Sequence, residues 1–531
     1  MDDGSISYNF STTILSIDLS QDWTNSSVTI QSTPKIASCW DLCDPTIWYH
    51  EQEGILYTGF GGWRSDLALN ATVDGGDRSM CTFRPNGAGS GAWEDLDNSA
   101  ELGSIGEPSQ TLNAFSPDTA FAVGGYNVDN AGGLPTAEMF QFDMALKTIT
   151  NISAVGYEFD EGAVAVGRME YVPSFGPQGI FVAMGGTYNP NSNESMVSFE
   201  TVSVFDPTAQ KWWNQTTTGS PPAGRIDFCT AGVNSTSATY EIFVHGGWAG
   251  TFGAPSVPFD TIHILTLPAF HWIQVSYTAT SPRTGFTCNA VGGSQILTIG
   301  GSDPNAPGVF QNMNGSYGFQ EQIYQTADPN LQGLAIFDMS QLAWGSQYTA
   351  GLPSNYEQSD AIKAVYADPQ LSNNPNIDPG VAALLSVTHF ASGLFPITRL
   401  LNYMSDSLTA QTGTNSSAGA PQSPSASTSK HASIGAIAGG IVGGLVVFAL
   451  VLGLILVLLK RRRRNRAVEL PAPDASSYPG SPYVYDKDGI KVSELYQHRG
   501  TWNESPIEMD AQLQPSEIGE GERIELSAGQ S

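Results

Sequence analysis

Three histidines in the middle of the chain are the side chains best suited to chemistry. His245 ends an apolar run directly before a Gly-Gly pair, and His263 and His271 flank another apolar run beside Trp272. Imidazole nitrogens bind transition metals and transfer protons near neutral pH, so they would suit a metal-assisted or acid–base reaction. No His-x-His pair and no adjacent Cys–Tyr pair accompanies them. The pattern therefore favours packing inside strands, and no metal or cofactor is predicted.

Other signatures of catalysis are missing from the sequence. There is no Gly-rich phosphate loop and no Gly-x-Ser-x-Gly nucleophile elbow. Paired acids such as Asp160-Glu161 are expected to face water. Carboxylates that converge from separate segments remain an open alternative, because spacing along the chain does not report them. We assign no catalytic residue and predict that the protein is not an enzyme.

The charge of the chain excludes one large class of partner. Twenty-two basic and 51 acidic residues give a net charge of −29, and residues 1–459 alone carry 12 basic and 39 acidic side chains. A surface this acidic repels phosphate backbones, so no nucleic-acid partner is expected. The 57 glycines and 32 prolines indicate a turn-rich fold and argue against an all-helical protein.

A long, uncharged apolar run predicts a transmembrane helix at 434–459. Six basic residues follow between Lys460 and Arg466, which places the C-terminus in the cytoplasm by the positive-inside rule. We therefore expect a single-pass type I protein in the plasma membrane or another secretory-pathway membrane, with a large ectodomain outside. Gly435, Gly439 and Gly443 form small-xxx-small steps that favour a dimer, with glycine merely tolerated by lipid as the alternative.

Polar segments flank this predicted span. Residues 405–430 are Ser/Thr-rich and have almost no bulky apolar side chain, which predicts a flexible stalk. Residues 460–531 are polar and lack hydrophobic periodicity, which predicts a disordered cytoplasmic tail for docking or signalling.

Glycosylation sequons are concentrated before the span, as an extracytoplasmic domain requires. Nine Asn-x-Ser/Thr sites precede it and one, Asn503, follows it. The nine candidate glycosylation sites are Asn9, Asn25, Asn70, Asn151, Asn193, Asn214, Asn234, Asn314 and Asn415.

One short pattern recurs five times in the ectodomain: β-branched and aromatic residues that end in Gly-Gly. The pairs follow one another at nearly even steps, which is the regularity of a repeat architecture. They are Gly61 and Gly62, Gly124 and Gly125, Gly185 and Gly186, Gly246 and Gly247, and Gly300 and Gly301. Around each pair lie further strand-like runs and usually a Trp, so each unit is predicted to be a sheet of four short strands. Such a unit is too small to bury its own faces and is typical of a propeller blade.

The repeat resembles the kelch repeat, whose blades carry Gly-Gly after the second strand, then a Tyr/Phe-Asp strand and a Trp. The resemblance implies an all-β fold, a kelch-type β-propeller over residues 1–350, with six blades or, alternatively, seven. It also implies that each Trp packs between neighbouring blades. Residues 351–404 depart from the repeat, and Tyr356 to Tyr366 with Val381 to Leu385 are predicted to form short helices or a closing strand.

The N-terminal region reads as an incomplete blade. Ile14 to Leu19 with Trp23 match only the outer two strands of a sixth unit, and no apolar signal segment precedes them. We expect the inner strands to come from residues upstream of Met1, with strands at Ile362 to Tyr366 or Val381 to Leu385 as the alternative.

All five cysteines precede the span, as expected in an oxidising compartment. Cys229 and Cys288 occupy equivalent places in consecutive repeats, so a disulfide and two buried thiols both fit the sequence. Cys39 and Cys43 share a turn-rich loop, where a local bridge and a link to Cys81 both fit the sequence.

The order of propeller, stalk, span and acidic tail is similar to kelch-repeat single-pass membrane proteins of filamentous fungi. That resemblance implies a glycosylated surface module that binds a surface protein or wall glycan. The alternative is an extracytoplasmic carbohydrate-active enzyme such as a copper radical oxidase, because the kelch propeller of galactose oxidase holds copper with His and Tyr ligands. In that alternative His245 and His263 are the residues to test.

Overall fold

Short antiparallel strands supply nearly all the regular structure of the described chain. The computed structural model describes residues 12–39, 45–61, 79–98, 102, 105, 108–127, 136–152, 154, 157, 164–188, 195–250, 254–305, 327–353 and 355–389. Small sheets of these strands confirm the prediction of an all-β fold built from repeated antiparallel units.

A two-stranded sheet opens the described chain. It pairs β1 (Thr13–Ile17) with β3 (Ile30–Pro34), and β2 (Trp23–Thr24) lies between them in sequence. We call residues 12–39 the N-terminal hairpin. It lies where the sequence predicts an incomplete unit, but β1 pairs with β3 and not with the strand at Trp23.

Five larger sheets follow, and each contains four strands that are consecutive neighbours in an antiparallel meander. Sheet 1 has β4 (Thr46–His50), β5 (Ile55–Gly59), β6 (Cys81–Pro85) and β7 (Gly91–Asp95). Sheet 2 has β9 (Leu112–Phe115), β10 (Thr119–Val123), β12 (Met139–Asp143) and β13 (Thr148–Ile152). Sheet 3 has β15 (Arg168–Val172), β16 (Ile180–Met184), β19 (Thr201–Asp206) and β20 (Lys211–Thr216). Sheet 4 has β22 (Cys229–Asn234), β23 (Tyr240–His245), β24 (Ile262–Leu267) and β25 (His271–Gln274). Sheet 5 has β26 (Thr287–Val291), β27 (Gln295–Ile299), β28 (Leu334–Asp338) and β29 (Ala343–Gly345).

Shorter pieces complete the described structure. Two-residue strands are β8 (Pro108–Ser109), β11 (Tyr126–Asn127), β14 (Val164–Ala165), β17 (Thr187–Tyr188), β18 (Ser195–Met196), β21 (Thr218–Gly219) and β30 (Gln347–Tyr348). Of these, β21 joins the outer edge of sheet 4 as a parallel fifth strand. Two 3₁₀ helices cover Ala254–Asp260 and Leu331–Gly333.

The core lies between successive sheets, because each sheet is covered on both faces. Every residue of β16 and of β23 is buried, as expected for strands with a neighbour on either side. In sheets 3, 4 and 5 a Trp of the fourth strand packs toward the sheet before it. Trp212 meets Tyr157 at 4.7 Å between ring centroids, and Trp272 meets Phe199 at 5.8 Å. Burying a large ring between two sheets holds neighbouring repeats together.

The two ends of the sheets differ. At the turn end, the first and second strands are joined by short turns, such as the one between Asn234 and Tyr240 in sheet 4. At the opposite end, which we call the Gly-Gly end, the second and third strands are joined by longer segments, such as the one between His245 and Ile262. Long connections therefore lie at the Gly-Gly end.

The N-terminal hairpin joins the last sheet to the first. Trp23 stacks on Tyr348 at 5.1 Å between centroids, and β2 pairs with β30 directly after sheet 5. On its other side, the Ser16 hydroxyl donates to the Gly89 carbonyl of sheet 1 at 2.6 Å. The hairpin therefore contacts both ends of the series of sheets.

The segment after sheet 5 is helical. We call residues 355–389 the C-terminal strap; it contains α1 (Asp360–Ala367), α2 (Pro369–Ser372) and α3 (Pro379–Leu385). The Ser359 side chain caps α1, and the Asp378 side chain caps α3. The alternative with closing strands at Ile362 to Tyr366 and Val381 to Leu385 is therefore wrong, because both stretches are inside capped helices.

The strap lies along the turn end of sheets 4 and 3 and begins beside sheet 5, where the Ser340 hydroxyl donates to the Glu357 carbonyl at 2.9 Å. The Thr236 amide donates to the Tyr356 carbonyl at 3.1 Å, and the His389 amide donates to the Ser174 carbonyl at 2.8 Å. Val381 and Leu384 are buried in the same cluster as Phe175. The described chain thus ends beside the turn end of sheet 3.

The predicted stalk at 405–430, the predicted span at 434–459 with Gly435, Gly439 and Gly443, and the predicted tail at 460–531 lie outside the described residues. Among the residues that are described, no helix has the length and apolarity needed to cross a membrane.

Candidate binding surface at the Gly-Gly end

The Gly-Gly pairs adopt a backbone conformation that side chains rarely tolerate. In sheets 2 to 5 both glycines have positive φ, between 61° and 100°. At Gly124 there is also no room, because an added Cβ would lie 1.9 Å from the Val164 carbonyl oxygen. The glycines therefore allow the second strand of one sheet to approach the next sheet closely.

Sheet 1 departs from this pattern by one residue. Its second strand ends at Gly59, so Phe60, with φ of 42°, follows the strand where the other sheets have their first glycine. Gly61 then takes the position of the second glycine, and Gly62 lies outside the described residues. The sequence pattern located the turn but placed its register one residue too far along.

In sheets 2, 3 and 4 the second glycine of the pair forms a hydrogen bond to the following sheet. The amide of Gly125 donates to the Val164 carbonyl at 2.7 Å, and the amide of Gly186 donates to the Arg225 carbonyl at 2.9 Å. Gly247 repeats the bond to the Arg283 carbonyl at 2.8 Å. One local turn therefore joins sheet 2 to 3, 3 to 4 and 4 to 5.

A second series of backbone bonds runs beside the first. In sheets 2 to 5 the residue two places before the first strand has positive φ: Gln110, Val166, Asp227 and Gly285. Each amide donates to the carbonyl of the preceding member, at 2.9 Å for Val166 to Gln110, 3.4 Å for Asp227 to Val166 and 2.9 Å for Gly285 to Asp227. Nothing in the repeat pattern predicts this series, because no common residue type marks it.

Aromatic residues directly beyond the Gly-Gly turns are the surface feature that the sequence pattern did not single out. Tyr126, Tyr188 and Trp248 follow the pairs of sheets 2, 3 and 4, and all three are half-buried. Tyr126 and Trp248 pack around Val166 and Ile226. The signal was available, because Gly-Gly followed within two residues by an aromatic residue occurs in consecutive repeats.

Two equivalent arginines support the turns of sheets 4 and 5. Arg225 is buried and donates to the Gly246 carbonyl at 2.9 Å. Arg283 donates to the Gly301 carbonyl at 2.6 Å and forms an ion pair with Asp328. The Arg225 guanidinium instead lies over the Phe259 ring, 4.6 Å from its centroid. Burial lowers the pKa of Arg225 to about 10, so it stays charged at neutral pH.

His245 and His263 lie on opposite faces of sheet 4. His245 is opposite Ile262 and points toward sheet 5, where it packs on Trp344 at 4.9 Å between centroids. His263 is opposite Val244, on the face that packs against sheet 3. Burial, with a smaller effect of the Arg225 charge, lowers the pKa of each to about 3, so both are neutral. The two rings do not converge on one ion, and His271 bonds to the Thr218 hydroxyl at 2.9 Å.

Four cysteines form two disulfides. Cys229 and Cys288, on the first strands of sheets 4 and 5, are bonded with Cα atoms 5.4 Å apart. Cys39 pairs with Cys81, with Cα atoms 5.9 Å apart, which ties the N-terminal hairpin to sheet 1. The local Cys39–Cys43 bridge is therefore not formed, and Cys43 lies outside the described residues.

Four of the predicted glycosylation sites fall on described residues. Asn151 and Asn214 are exposed on the fourth strands of sheets 2 and 3. Asn25 is buried, and its amide nitrogen donates to the Leu334 carbonyl at 3.0 Å. Asn234 is half-buried and accepts a bond from the Ser174 hydroxyl. Asn9, Asn70, Asn193, Asn314 and Asn415 lie outside the described residues.

A half-buried acid lies where sheets 3 and 4 meet. Glu170 on β15 is hydrogen-bonded by the Thr230 hydroxyl of β22. Burial raises the pKa of Glu170 to about 7, although the Thr230 bond and the Arg168 charge act in the opposite direction.

Within the described residues, no group of three or more His, Cys, Asp or Glu side chains is arranged to hold a metal ion.

Comparison with known proteins shows a similarity over part of the chain. No family model matches the chain. A kelch repeat-containing protein from Arthroderma benhamiae is 27% identical over 206 residues, which cover 38% of this chain and 27% of that protein. The match thus spans about a quarter of that relative. This similarity supports the kelch-type repeat that the Gly-Gly turns and four-stranded sheets indicate.

Proposed function

We propose that this chain is a non-enzymatic kelch-type propeller that binds a ligand through its Gly-Gly end. The five four-stranded sheets and the N-terminal hairpin would then occupy six blade positions, with the hairpin as the incomplete one. This count rests on the hairpin's contacts with sheet 5 through Tyr348 and with sheet 1 through Gly89.

The position of the C-terminal strap is the observation that carries this proposal. The strap covers the turn end of sheets 3 and 4, and the described chain ends there at His389. The turn end of these two sheets is thus covered by residues of this chain, whereas the long connections lie at the Gly-Gly end. The Gly-Gly end is therefore the end that we assign to ligand binding.

The chemistry of the Gly-Gly end limits the class of ligand. Residues 1–459 carry a net charge of −27, so a neutral or cationic partner is favoured over an anionic one. Half-buried aromatic rings at Tyr126, Tyr188 and Trp248 provide apolar faces for contact. A neutral wall glycan or a basic surface protein fits this description. The stalk, sequons and cytoplasmic tail complete a glycosylated surface module with a docking or signalling tail.

Binding by the full-length protein tests the proposal. Detergent-solubilised protein is incubated with insoluble wall glycan in one arm and with a basic surface-protein fraction in the other. Retention in at least one arm is expected, and Trp248→Ala should weaken it about tenfold because an anchoring ring is lost. Leu146→Ala, at an exposed turn-end residue, is the matched control. Equal retention of W248A and the parent protein would overturn the assignment of the surface.

The copper oxidase alternative has weaker support. Its two candidate histidines face different sheets, and Trp344 and Phe286 surround His245 with ring contacts. Metal analysis of the purified protein is the direct test. Stoichiometric copper, together with turnover of sugars that is abolished by His245→Ala, would replace the binding proposal with the enzymatic one.

A further inference from the structure

A fully buried carboxyl group lies beneath the C-terminal strap. Glu241 is on β23 and is 0% exposed. Its Oε1 accepts hydrogen bonds from the Thr239 hydroxyl at 2.5 Å and from the Gln358 amide at 3.2 Å. Gln358 belongs to the strap, so this carboxyl group bonds the strap to sheet 4.

Among the residues that the structure describes, none near Glu241 offers a compensating positive charge. From the strap, Tyr356 is fully buried, and the Tyr366 hydroxyl bonds to the Thr266 hydroxyl of β24 at 2.6 Å. From β23 itself, Tyr240 is the neighbouring titratable group, and it interacts with the half-buried Glu170 of sheet 3.

The charged side chains described on the strap and on sheet 5 do not compensate a negative charge on Glu241. Glu357 and Asp360 on the strap are exposed, and Lys363 pairs with Asp360 at 3.6 Å. From sheet 5, Asp338 accepts the backbone amides of Ser340 and Gln341, both at 2.8 Å. A negative charge on Glu241 would therefore be buried without a cation, which is costly.

Protonation removes that cost. Burial raises the pKa of Glu241 to about 7, against hydrogen bonds from Thr239, Gln358 and Thr266 that lower it. If detachment of the strap exposed this carboxyl group to water, its pKa would return to the ordinary value of 4.5. The docked form is therefore favoured fully below pH 4.5, and this advantage is lost as the pH rises through 7.

We propose that the C-terminal strap is a pH-sensitive clamp, which stays docked on sheets 3 and 4 while Glu241 holds its proton and opens when Glu241 loses it. Opening frees residues 355–389, which span at most about 120 Å when fully extended. The clamp thus sets the length of chain between the sheets and whatever follows residue 389. This inference rests on the strap alone and holds whether or not the Gly-Gly end binds a ligand.

Amide hydrogen exchange of the full-length protein tests the clamp. Peptides that cover 356–368 are compared at pH 5.5 and pH 8.5 after correction for intrinsic exchange. Between these pH values the opening constant should rise about 30-fold, from the two pKa values above. Peptides from β16, which is buried throughout, report global opening, and their opening constant should change much less between the two pH values.

Two matched variants identify the responsible group. Glu241→Gln keeps the shape and removes the charge, so its opening constant should change less than threefold over the same range. Glu357→Gln removes an exposed acid next to the buried Tyr356 and should keep the full change. Equal opening of the parent protein at both pH values would overturn the clamp, and this test needs no variant to fold. A full pH response in E241Q would overturn it too.

Discussion

Cys229 and Cys288 join the first strands of sheets 4 and 5, with Cα atoms 5.4 Å apart and a sequence separation of 59. Cross-linking so long a segment limits the unfolded chain, which is the main way in which a disulfide stabilises a protein. The bond also lies between two sheets that Phe243 and Phe337 already hold together at 6.2 Å between centroids. Covalent and apolar contacts therefore act at the same junction.

Removing this disulfide should lower the stability of the protein markedly. For the double variant Cys229→Ala/Cys288→Ala we expect a loss of about 4 kcal/mol in the free energy of unfolding, from the length of the closed segment. The measurement is denaturant unfolding followed by tryptophan fluorescence. Peptide mapping without reductant should recover the linked 229 and 288 peptides. A parent protein whose unfolding is unchanged by reductant would contradict this.

Two glycines with similar backbones should respond differently to alanine. Gly246 and Gly300 have φ of 68° and 73°, but an added Cβ at Gly246 would lie 2.5 Å from the Arg283 carbonyl oxygen, whereas at Gly300 nothing lies within 4 Å. Gly300→Ala should cost about 1 kcal/mol for the left-handed backbone alone. Gly246→Ala should cost at least about 3 kcal/mol, because the next sheet must also move. Thermal unfolding of both variants measures this, and equal losses would show that close approach is unimportant.

Glycan occupancy should follow exposure rather than the sequon alone. Asn151 and Asn214 are exposed, so we expect glycans on both, whereas the Asn25 amide nitrogen is buried in its bond to Leu334. Mass spectrometry of glycopeptides, from protein that has passed through the secretory pathway, measures the glycan occupancy of all three sites. A substantial glycan fraction on Asn25 in folded protein would be inconsistent with the position of the N-terminal hairpin.

Glu170 should make the junction of sheets 3 and 4 more stable in acid. Its pKa is raised from 4.5 to about 7, so its contribution is present in full below pH 4.5 and is lost as the pH rises through 7. We expect the melting temperature to fall between pH 5 and pH 8, and Glu170→Gln to reduce that fall. Glu94→Gln, at an exposed position in sheet 1, is the control. An identical pH dependence in E170Q and the parent protein would refute this role.

The sheets themselves could be predicted because their signals are local. A strand that must end in a turn with positive φ needs glycine there, so regular Gly-Gly pairs such as Gly185 and Gly186 mark the second strand of each unit. In sheet 1 the Gly-Gly pattern placed this turn one residue too late, because Phe60 itself adopts the positive φ. Contacts within the folded sheet decided that register, and the sequence pattern does not report them.

The path of the C-terminal strap was not predictable in the same way. Ile362 to Tyr366 is an apolar stretch that suits a helix or a strand, and the short run gives no clear period. Burial of Ile362 beside Phe337 and Val381 beside Phe175 favours the helices, together with caps from Ser359 and Asp378. Phe337 and Phe175 are distant in sequence from the strap, so only the folded sheets bring them into contact with its helices.

The amino-acid sequence by itself determined the repeat, the four-stranded unit and the acidic charge of this protein, because strand ends, turns and charge depend on neighbouring residues. Only the tertiary structure decided that His245 and His263 face different sheets, that Glu241 is buried beneath the strap, and that Trp23 stacks on Tyr348. Each of these depends on which surfaces meet after folding. Residues hundreds of positions apart then share one environment, and that environment sets their pKa, their exposure and the chemistry available to them.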